Sequence, residues 1–248
     1  VVTTSVSGNT TETLTVLGST LKLNCQVIAF CGGGKMKQYC IDNDVDFRII
    51  DSVHSPRASF VTYVYSILNV LHNILPINEN DILHSLDSLF DVGKKISSKN
   101  LTCTNPSINL AEKITGIPLI YYPYGLQSAA IRLKSALQEN AKMHVIIEDV
   151  IESCHNGIVA WENDSAVQPI LLQGFDDYVK TKERFLIIEK FFDDRQIDFL
   201  SVSSIAGNIL SKIISLIYLF DYASIYRAIL SEIDPSPVKS IDYIKSKI

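Results

Sequence analysis

Residues 5–13 form a string whose side chains and backbone are suited to holding an anion. Its hydroxyl-bearing residues are Ser5, Ser7, Thr10 and Thr11. The string lies between a predicted strand and a predicted helix, for which Asn9 is the expected N-cap and Glu12 its capping-box partner. Free backbone N–H groups and the positive end of the helix dipole attract a phosphate there, and Gly8 lets a ligand approach the backbone. The pattern predicts a phosphate site, with an ordinary Ser/Thr-rich cap as the alternative.

Two charged residues stand at helix ends where their sign is electrostatically unfavourable. Arg57, in the string SPRA, comes at the start of a predicted helix, where it could meet an anionic substrate or extend into solvent. Glu139 comes near the end of a helix predicted over 126–142. The negative end of that helix disfavours an ionised carboxylate, which suits a general base working near neutral pH. The alternative for Glu139 is a surface pair with Lys142, three residues on.

Cys154 and His155 adjoin each other in the string CHNGIVAW. Histidine changes charge near neutrality, so His155 could move protons. A Cys–His nucleophilic pair is disfavoured, because neighbours in a chain seldom face each other as nucleophile and base. The other histidines have no comparable context and are expected to be structural; they are His54, His72, His84 and His144.

The string CGGGK at 31–35 superficially resembles a nucleotide phosphate loop. Met36 follows the lysine where that motif requires Ser or Thr, so we expect a strand-to-helix turn instead. The five cysteines include no Cys-x2-Cys pair, which argues against a zinc site. Such scattered cysteines are typical of small buried residues in a reducing compartment.

Short apolar runs alternate with helical periodicity along the chain. Strands are predicted at 1–5, 25–30, 46–50, 117–122, 166–172 and 197–202, with helices between them. This order predicts an α/β fold with two doubly wound parallel-sheet domains, followed by C-terminal helices broken at Pro235 and Pro237. The polar segment 98–107 is the best linker candidate. It would divide a first domain, 1–98, from a second, 99–248.

Composition narrows the class of partner. Lys and Arg number 22 against 27 Asp and Glu, a formal net charge of −5, which argues against nucleic acid because phosphate-backbone binding needs clustered cations. The hydrophobic share of 47% is ample for a packed core. The longest apolar stretch, 205–220, is interrupted by Asn208 and Lys212 and predicts a buried core helix, so no membrane partner is expected. The sequence shows no leader pattern, and a cytoplasmic location is expected.

Five strings, taken together and in order, resemble the archaeal-type bifunctional phosphoglucose/phosphomannose isomerases. These enzymes are built from two sugar-isomerase (SIS) domains. The strings are SVSGNTTETL, SPRA, LQENAKMHV, CHNGIVAW and DPSPVKSIDYIKSKI. The resemblance runs from residue 1 to residue 248 and implies that both predicted domains, 1–98 and 99–248, are SIS-type.

The resemblance also implies how the substrate is bound. Ser5, Ser7 and Thr10 match the hydroxyl positions of the family's phosphate loop. Arg57 matches an arginine that orients the sugar phosphate and stabilises an enediolate. The implied partner is therefore a sugar phosphate, with no cofactor and no metal ion.

The catalytic roles follow from the same resemblance. Glu139 matches the catalytic base, and Lys245 matches a C-terminal lysine that reaches the site. His155 matches a histidine that opens the sugar ring and that the family supplies from the partner subunit, which implies a homodimer.

Three departures from the family pattern are visible. In the family, a strand and loop bearing Gly-Gly-Ser complete the phosphate cradle, and this sequence does not contain them. Val238 stands where some relatives carry a threonine proposed to help with mannose 6-phosphate. Cys154 replaces a histidine or similar residue and is expected to carry no role.

The expected activity is interconversion of glucose 6-phosphate and fructose 6-phosphate, and also of mannose 6-phosphate, through a cis-enediolate. One alternative is a non-catalytic SIS module that senses a sugar phosphate, which would not need Glu139, His155 and Lys245 together. Another is an amino-sugar phosphate isomerase, which would share the phosphate loop.

Overall fold

Seven parallel strands form two separate sheets in the computed structural model, which describes residues 1–51 and 53–247. The chain divides into two units, Val1–Asn78 and Glu79–Ile248, and each contains one sheet. The predicted α/β class with parallel sheets is confirmed.

The first unit alternates strands and helices throughout. Its elements are β1 (Val2–Ser5), α1 (Thr11–Thr20), β2 (Ile28–Cys31), α2 (Gly34–Asp42), β3 (Asp46–Ile49), a 3-10 turn (Pro56–Ser59) and α3 (Phe60–Leu71). The strand order is β1-β2-β3, all parallel. Among the residues described, these strands are added in one direction only, so the predicted double winding is wrong for this sheet. Double winding needs a strand on the other side of β1, and the described chain supplies none.

Helices cover both faces of the first sheet. Leu17 from α1 and Met36 and Cys40 from α2 pack on one face. Tyr63 from α3 packs with Phe30 on the other. Strand β2 lies in the middle and is buried along most of its length, as expected for a parallel strand covered on both sides.

The second unit contains the longer helices. Its elements are α4 (Glu79–Ile96), α5 (Pro106–Lys113), β4 (Ile117–Tyr122), a 3-10 turn (Tyr124–Leu126), α6 (Gln127–Asn140), β5 (Ile146–Asp149), α7 (Val150–Ser153), a 3-10 helix (Gly157–Glu162), β6 (Val167–Gln173), α8 (Val179–Asp194), β7 (Leu200–Ser203), α9 (Ile209–Leu230) and α10 (Lys239–Lys245). The strand order is β5-β4-β6-β7. The chain adds β5 on one side of β4 and then β6 and β7 on the other, so this sheet is doubly wound.

The units divide before α4, whereas the sequence-based boundary lies after residue 98. The reason is packing, because α4 lies against α9 of the second unit. The polar segment 98–107 is instead held down by Asn105, which caps α5 through the N–H groups of Ser107 and Ile108. Asn105 also donates to the carbonyl of Ile96 at the end of α4.

Helix α9 is the centre of the helical layer in the second unit. By length and composition alone it could cross a membrane, and 44% of its most apolar window is buried. It packs against α4, α5 and α6, and its Asp221 pairs with Arg132 on α6. The core helix predicted within 205–220 is confirmed by these contacts, although it begins at Ile209 and continues to Leu230.

Candidate functional site

The turn after β1 gathers the three hydroxyls that the sequence singled out. The Ser5 Oγ and Thr10 Oγ1 atoms lie 2.9 Å apart, and the Ser7 Oγ accepts from the backbone N–H of Asn9. Ser5 is buried at the end of β1, whereas Ser7 and Thr10 are exposed. A hydroxyl has one donor and two acceptor sites, so each can also bond a ligand. The turn therefore offers hydroxyl groups next to the positive end of α1.

The predicted cap of α1 is wrong in one respect. Thr10, not Asn9, is the N-cap. Among the residues that the structure describes, the Thr10 side chain accepts no capping hydrogen bond from the start of α1. The Asn9 side chain is used elsewhere, since its Oδ1 accepts from the N–H of Lys35 and its amide donates to the carbonyl of Ser7. Asn9 thus ties the turn to the start of α2, and the α1 backbone donors are left for a ligand.

The glycine-rich string 31–35 is a strand-to-helix turn, as predicted. The first N–H groups of α2 already have partners in the turn after β1. The N–H of Met36 donates to the carbonyl of Gly8, and the N–H of Lys35 donates to the Asn9 side chain. Gly8 has φ +67°, and a Cβ there would collide with the carbonyl of Gly33. The close approach of these two loops therefore requires glycine at position 8.

Arg57 lies on the same edge of the first sheet as the turn of residues 5–10, called the hydroxyl turn below. It is half-buried in the 3-10 turn that follows β3, and the hydroxyl turn follows β1. Carboxyl ends of parallel strands meet at one edge, and β1 and β3 are separated by β2, which places the two strands roughly 10 Å apart. The first unit thus presents a guanidinium and a hydroxyl turn on one side.

Glu139 lies in a groove of about 830 Å³ in the second unit. One wall is the end of α6 and the residues after it, including Lys142 and His144; the other is the segment 233–241. Glu139 is half-buried, one residue before the end of α6. The groove therefore exposes a carboxylate to a ligand-sized space.

The sequence also singled out Val238 and Lys245 in the C-terminal segment. Val238 is part of the second wall, and Lys245 lies just beyond it. Val238 lines the groove. Lys245 is exposed on α10, four residues after Ile241, which also lines the groove. Residues four apart share one helix face, so Lys245 lies one turn beyond the groove lining.

Polar contacts fix the rotation of α6. Arg132 grips Asp221 through Nε at 2.6 Å and Nη2 at 2.8 Å, and Asn140 donates to the Ser224 hydroxyl at 2.8 Å, both on α9. Burial raises the pKa of the Asp221 carboxyl above its usual value, Arg132 acts to lower it, and nearby Glu139 raises it. These anchors on either side hold Glu139 in place.

His155 is exposed on the turn after α7. Glu139 precedes the amino end of β5 and His155 follows its carboxyl end. Since α6 returns the chain to the amino edge of the sheet, the two residues lie towards opposite edges of this sheet. The structure therefore does not bring His155 into the Glu139 groove of the same chain.

The segment around His155 is shaped by its neighbours on the sheet. Cys154 is half-buried, and its Sγ donates to the carbonyl of Val150. The Glu148 carboxylate lies where a Cβ at Gly157 would be, so a larger residue there would displace the Glu148 side chain. Burial raises the pKa of Glu148, and Glu152 adds to the shift.

Sequence reasoning missed two groove residues, Lys142 and His144. From the sequence, Lys142 is expected only as a surface partner of Glu139, and His144 is expected to be structural. The signal for both was their position, three and five residues beyond Glu139, just after a helix end. Two cysteines also differ from expectation, because Cys25 and Cys103 are exposed.

The comparison that decides the family covers most of the second unit. A family model described as the bacterial phospho-glucose isomerase C-terminal SIS domain matches residues 103–248. The chain belongs to this SIS-domain family. The matched residues include Glu139, His155 and Lys245.

Relatives with assigned names extend the likeness over the whole chain. A bifunctional phosphoglucose/phosphomannose isomerase from Caldicellulosiruptor bescii is 29% identical over 262 residues, covering 100% of this chain and 76% of the relative. One from Aquifex aeolicus is 26% identical, covering 98% and 74%. The resemblance drawn from the five strings is thereby confirmed.

Solved structures share the fold of this SIS protein. The tagatose-6-phosphate ketose/aldose isomerase of Escherichia coli superposes with a TM-score of 0.69 at 14% identity, covering 96% of this chain and 70% of that one. At this identity the likeness shows the fold alone.

Proposed function

We propose that the protein is an isomerase that interconverts glucose 6-phosphate and fructose 6-phosphate, and also mannose 6-phosphate. The first-unit turn with Ser5, Ser7 and Thr10 binds the phosphate. Binding energy from the phosphate positions C1 and C2 of the open sugar for proton transfer. The observation that carries the proposal is a half-buried carboxylate, Glu139, facing a ligand-sized groove in a chain of this family.

The chemistry is a proton transfer between neighbouring carbons. His155, with Lys245, moves a proton from the anomeric hydroxyl to the ring oxygen, so that the bond from the anomeric carbon to the ring oxygen breaks and the ring opens. Glu139 removes the proton from C2 of the aldose and returns it to C1, giving the ketose. Arg57 stabilises the negative charge of the intervening cis-enediolate. Glucose and mannose 6-phosphates differ only at C2 and give the same enediol, so one base serves both.

A homodimer accounts for the position of His155. Within one subunit Glu139 and His155 lie towards opposite edges of the sheet, so we assign His155 to the site of the partner subunit. We also assign the SIS fold to the first unit, because it has the same parallel strand-helix alternation. A cytoplasmic location fits an enzyme of phosphorylated sugars.

The activity is tested with a substrate panel at equal concentrations: glucose, mannose, fructose and glucosamine 6-phosphates, with products identified by NMR. Glucose 6-phosphate is expected to yield fructose 6-phosphate, and the reverse. Turnover of glucosamine 6-phosphate alone would favour the amino-sugar isomerase. Binding of all four without turnover would favour a sugar-phosphate sensor.

Replacing Thr10 by Val is expected to weaken substrate binding without slowing the chemistry. The change removes a hydroxyl donor at almost constant volume, and a hydrogen bond to a charged group contributes about 1.5–3 kcal/mol. KM for fructose 6-phosphate should rise at least about tenfold, and the inhibition constant of inorganic phosphate should rise with it, while kcat stays near the wild-type value.

Thr15→Val is the matched control for this experiment. The Thr15 hydroxyl also lies on α1 but donates to the carbonyl of Thr11 within the helix. Its loss should leave KM unchanged. An equal rise of KM in both variants, or a rise in neither, would remove Thr10 from the phosphate site.

A further inference from the structure

Lys142 has an unusual backbone and an unusual set of partners. It has φ +57°, a conformation that favours glycine, directly after the C-cap of α6. Its Nζ donates to three backbone carbonyls, those of Glu139, Pro235 and Pro237, the last at 2.8 Å. The Glu139 carbonyl belongs to the last turn of a helix, where carbonyls lack helical partners and attract a cation. The other two belong to the turn after α9.

The segment beyond α9 has little apolar packing of its own. Helix α10 buries none of its side chains. The turn before it is closed locally by the N–H of Ser236, which donates to Asp234. The Lys142 ammonium links this turn to the end of α6. The turn is thereby held in place, and α10 follows it in the chain.

Lys142 spans the two walls of the Glu139 groove. One wall contains Glu139 and Lys142, and the other contains Val238 and Ile241. An ammonium has three N–H donors, and three carbonyls accept from it here. Lys142 is thereby engaged with the protein rather than placed to bind a phosphate.

We propose that Lys142 is a positioning residue that docks the C-terminal segment onto the end of α6, so that Glu139 and Lys245 act on one substrate. This inference rests on the proposed function for its catalytic part. Its structural part, the tie between α6 and α10, stands independently and can be measured without substrate.

The first test replaces Lys142 by Met, which keeps the length and removes the donors. Amide hydrogen exchange of Ile241 and Asp242, whose N–H groups donate to Val238, should become at least about tenfold faster. The kcat for fructose 6-phosphate should fall about tenfold or more with KM nearly unchanged, because a small misplacement of catalytic groups slows the chemistry itself. Lys134→Met, on the same helix and outside the described lining of this groove, is the matched control and should change neither quantity.

A second variant separates the tie from backbone strain. Lys142→Asn accepts a positive φ easily but has no ammonium, so it should show the same faster exchange and lower kcat as Lys142→Met. Wild-type exchange and wild-type kcat in Lys142→Asn would overturn the proposal. So would a fall of kcat with unchanged exchange in both variants, since Lys142 would then act directly on the substrate.

A double-mutant cycle with Lys245→Met tests whether the tie acts through α10. If it does, Lys142→Met should lower kcat less in the Lys245→Met background than in the wild type. If Lys142→Met lowers kcat by the same factor in both backgrounds, the proposal that the tie acts through α10 is overturned. If the wild-type protein isomerises none of the sugar phosphates, the proposed function fails, and faster exchange in the Lys142 variants would still support the tie.

Discussion

Glu139→Gln should lower kcat for the conversion of fructose 6-phosphate to glucose 6-phosphate by at least about 10²-fold. A positioned carboxylate base contributes roughly 10²–10⁴-fold to a proton transfer, and the amide cannot take up the proton. KM should change little, because the substitution leaves the proposed phosphate-binding residues Ser5, Ser7 and Thr10 unchanged. The measurement is steady-state kinetics in both directions.

Glu183→Gln is the control for the loss of a carboxylate. Glu183 is exposed on α8 and pairs with Lys180, so its replacement should leave kcat unchanged. Thermal unfolding of both variants checks that the fold is intact. Wild-type turnover by Glu139→Gln would remove Glu139 from the mechanism.

Arg132→Met should lower the free energy of unfolding by about 3–5 kcal/mol at pH 7. The Arg132 and Asp221 side chains are only 16% and 22% exposed, and removing one partner of a buried pair leaves an uncompensated charge. The double variant Arg132→Met/Asp221→Leu should recover most of that loss, because both charges are then removed together. Urea unfolding at pH 7 measures all three proteins.

The loss of unfolding free energy in Arg132→Met should also depend on pH. Burial raises the pKa of Asp221 in the folded protein above its unfolded value, so protonation favours the folded state and stability falls as pH rises through the folded pKa. Arg132 lowers that pKa, so its removal raises it further. The destabilisation should therefore shrink as the pH is lowered from 7 towards 4. A loss that is the same at both pH values, with no recovery in the double variant, would contradict this account of the pair.

Most of the element order was predictable, because it depends on local periodicity. The strand predicted at 117–122 has the observed limits, and the helix predicted at 126–142 corresponds to a 3-10 turn followed by α6. Strand β5 was missed because its four residues include two carboxylates, Glu148 and Asp149, and lead directly into α7 with no turn residue between them. Helix α5 was missed because its start, Pro106 and Ser107, falls at the end of the polar segment 98–107, although Asn105 followed by Pro106 is a recognisable N-cap and first helical residue.

In the candidate site, too, the features that depend on neighbouring residues were predictable and those that depend on distant residues were not. The hydroxyl turn was predictable, since its chemistry lies within six consecutive residues. The use of Asn9 was not, because its partner Lys35 is 26 residues away and only the sheet brings them together. The same holds for Lys142, whose carbonyl partners at 235 and 237 follow α9. Local strings indicate which residues can do chemistry, and long-range packing decides which of them are engaged by the protein itself.

Proton exchange with solvent tests the central claim most directly. Fructose 6-phosphate is incubated with the protein in D₂O through many turnovers, and the glucose 6-phosphate formed is examined by NMR at C2. The account predicts that deuterium accumulates at C2 with the wild-type protein and at least about 10²-fold more slowly with Glu139→Gln. Product formed over many turnovers without deuterium, or equal incorporation by both proteins, would contradict an enediolate mechanism with Glu139 as its base.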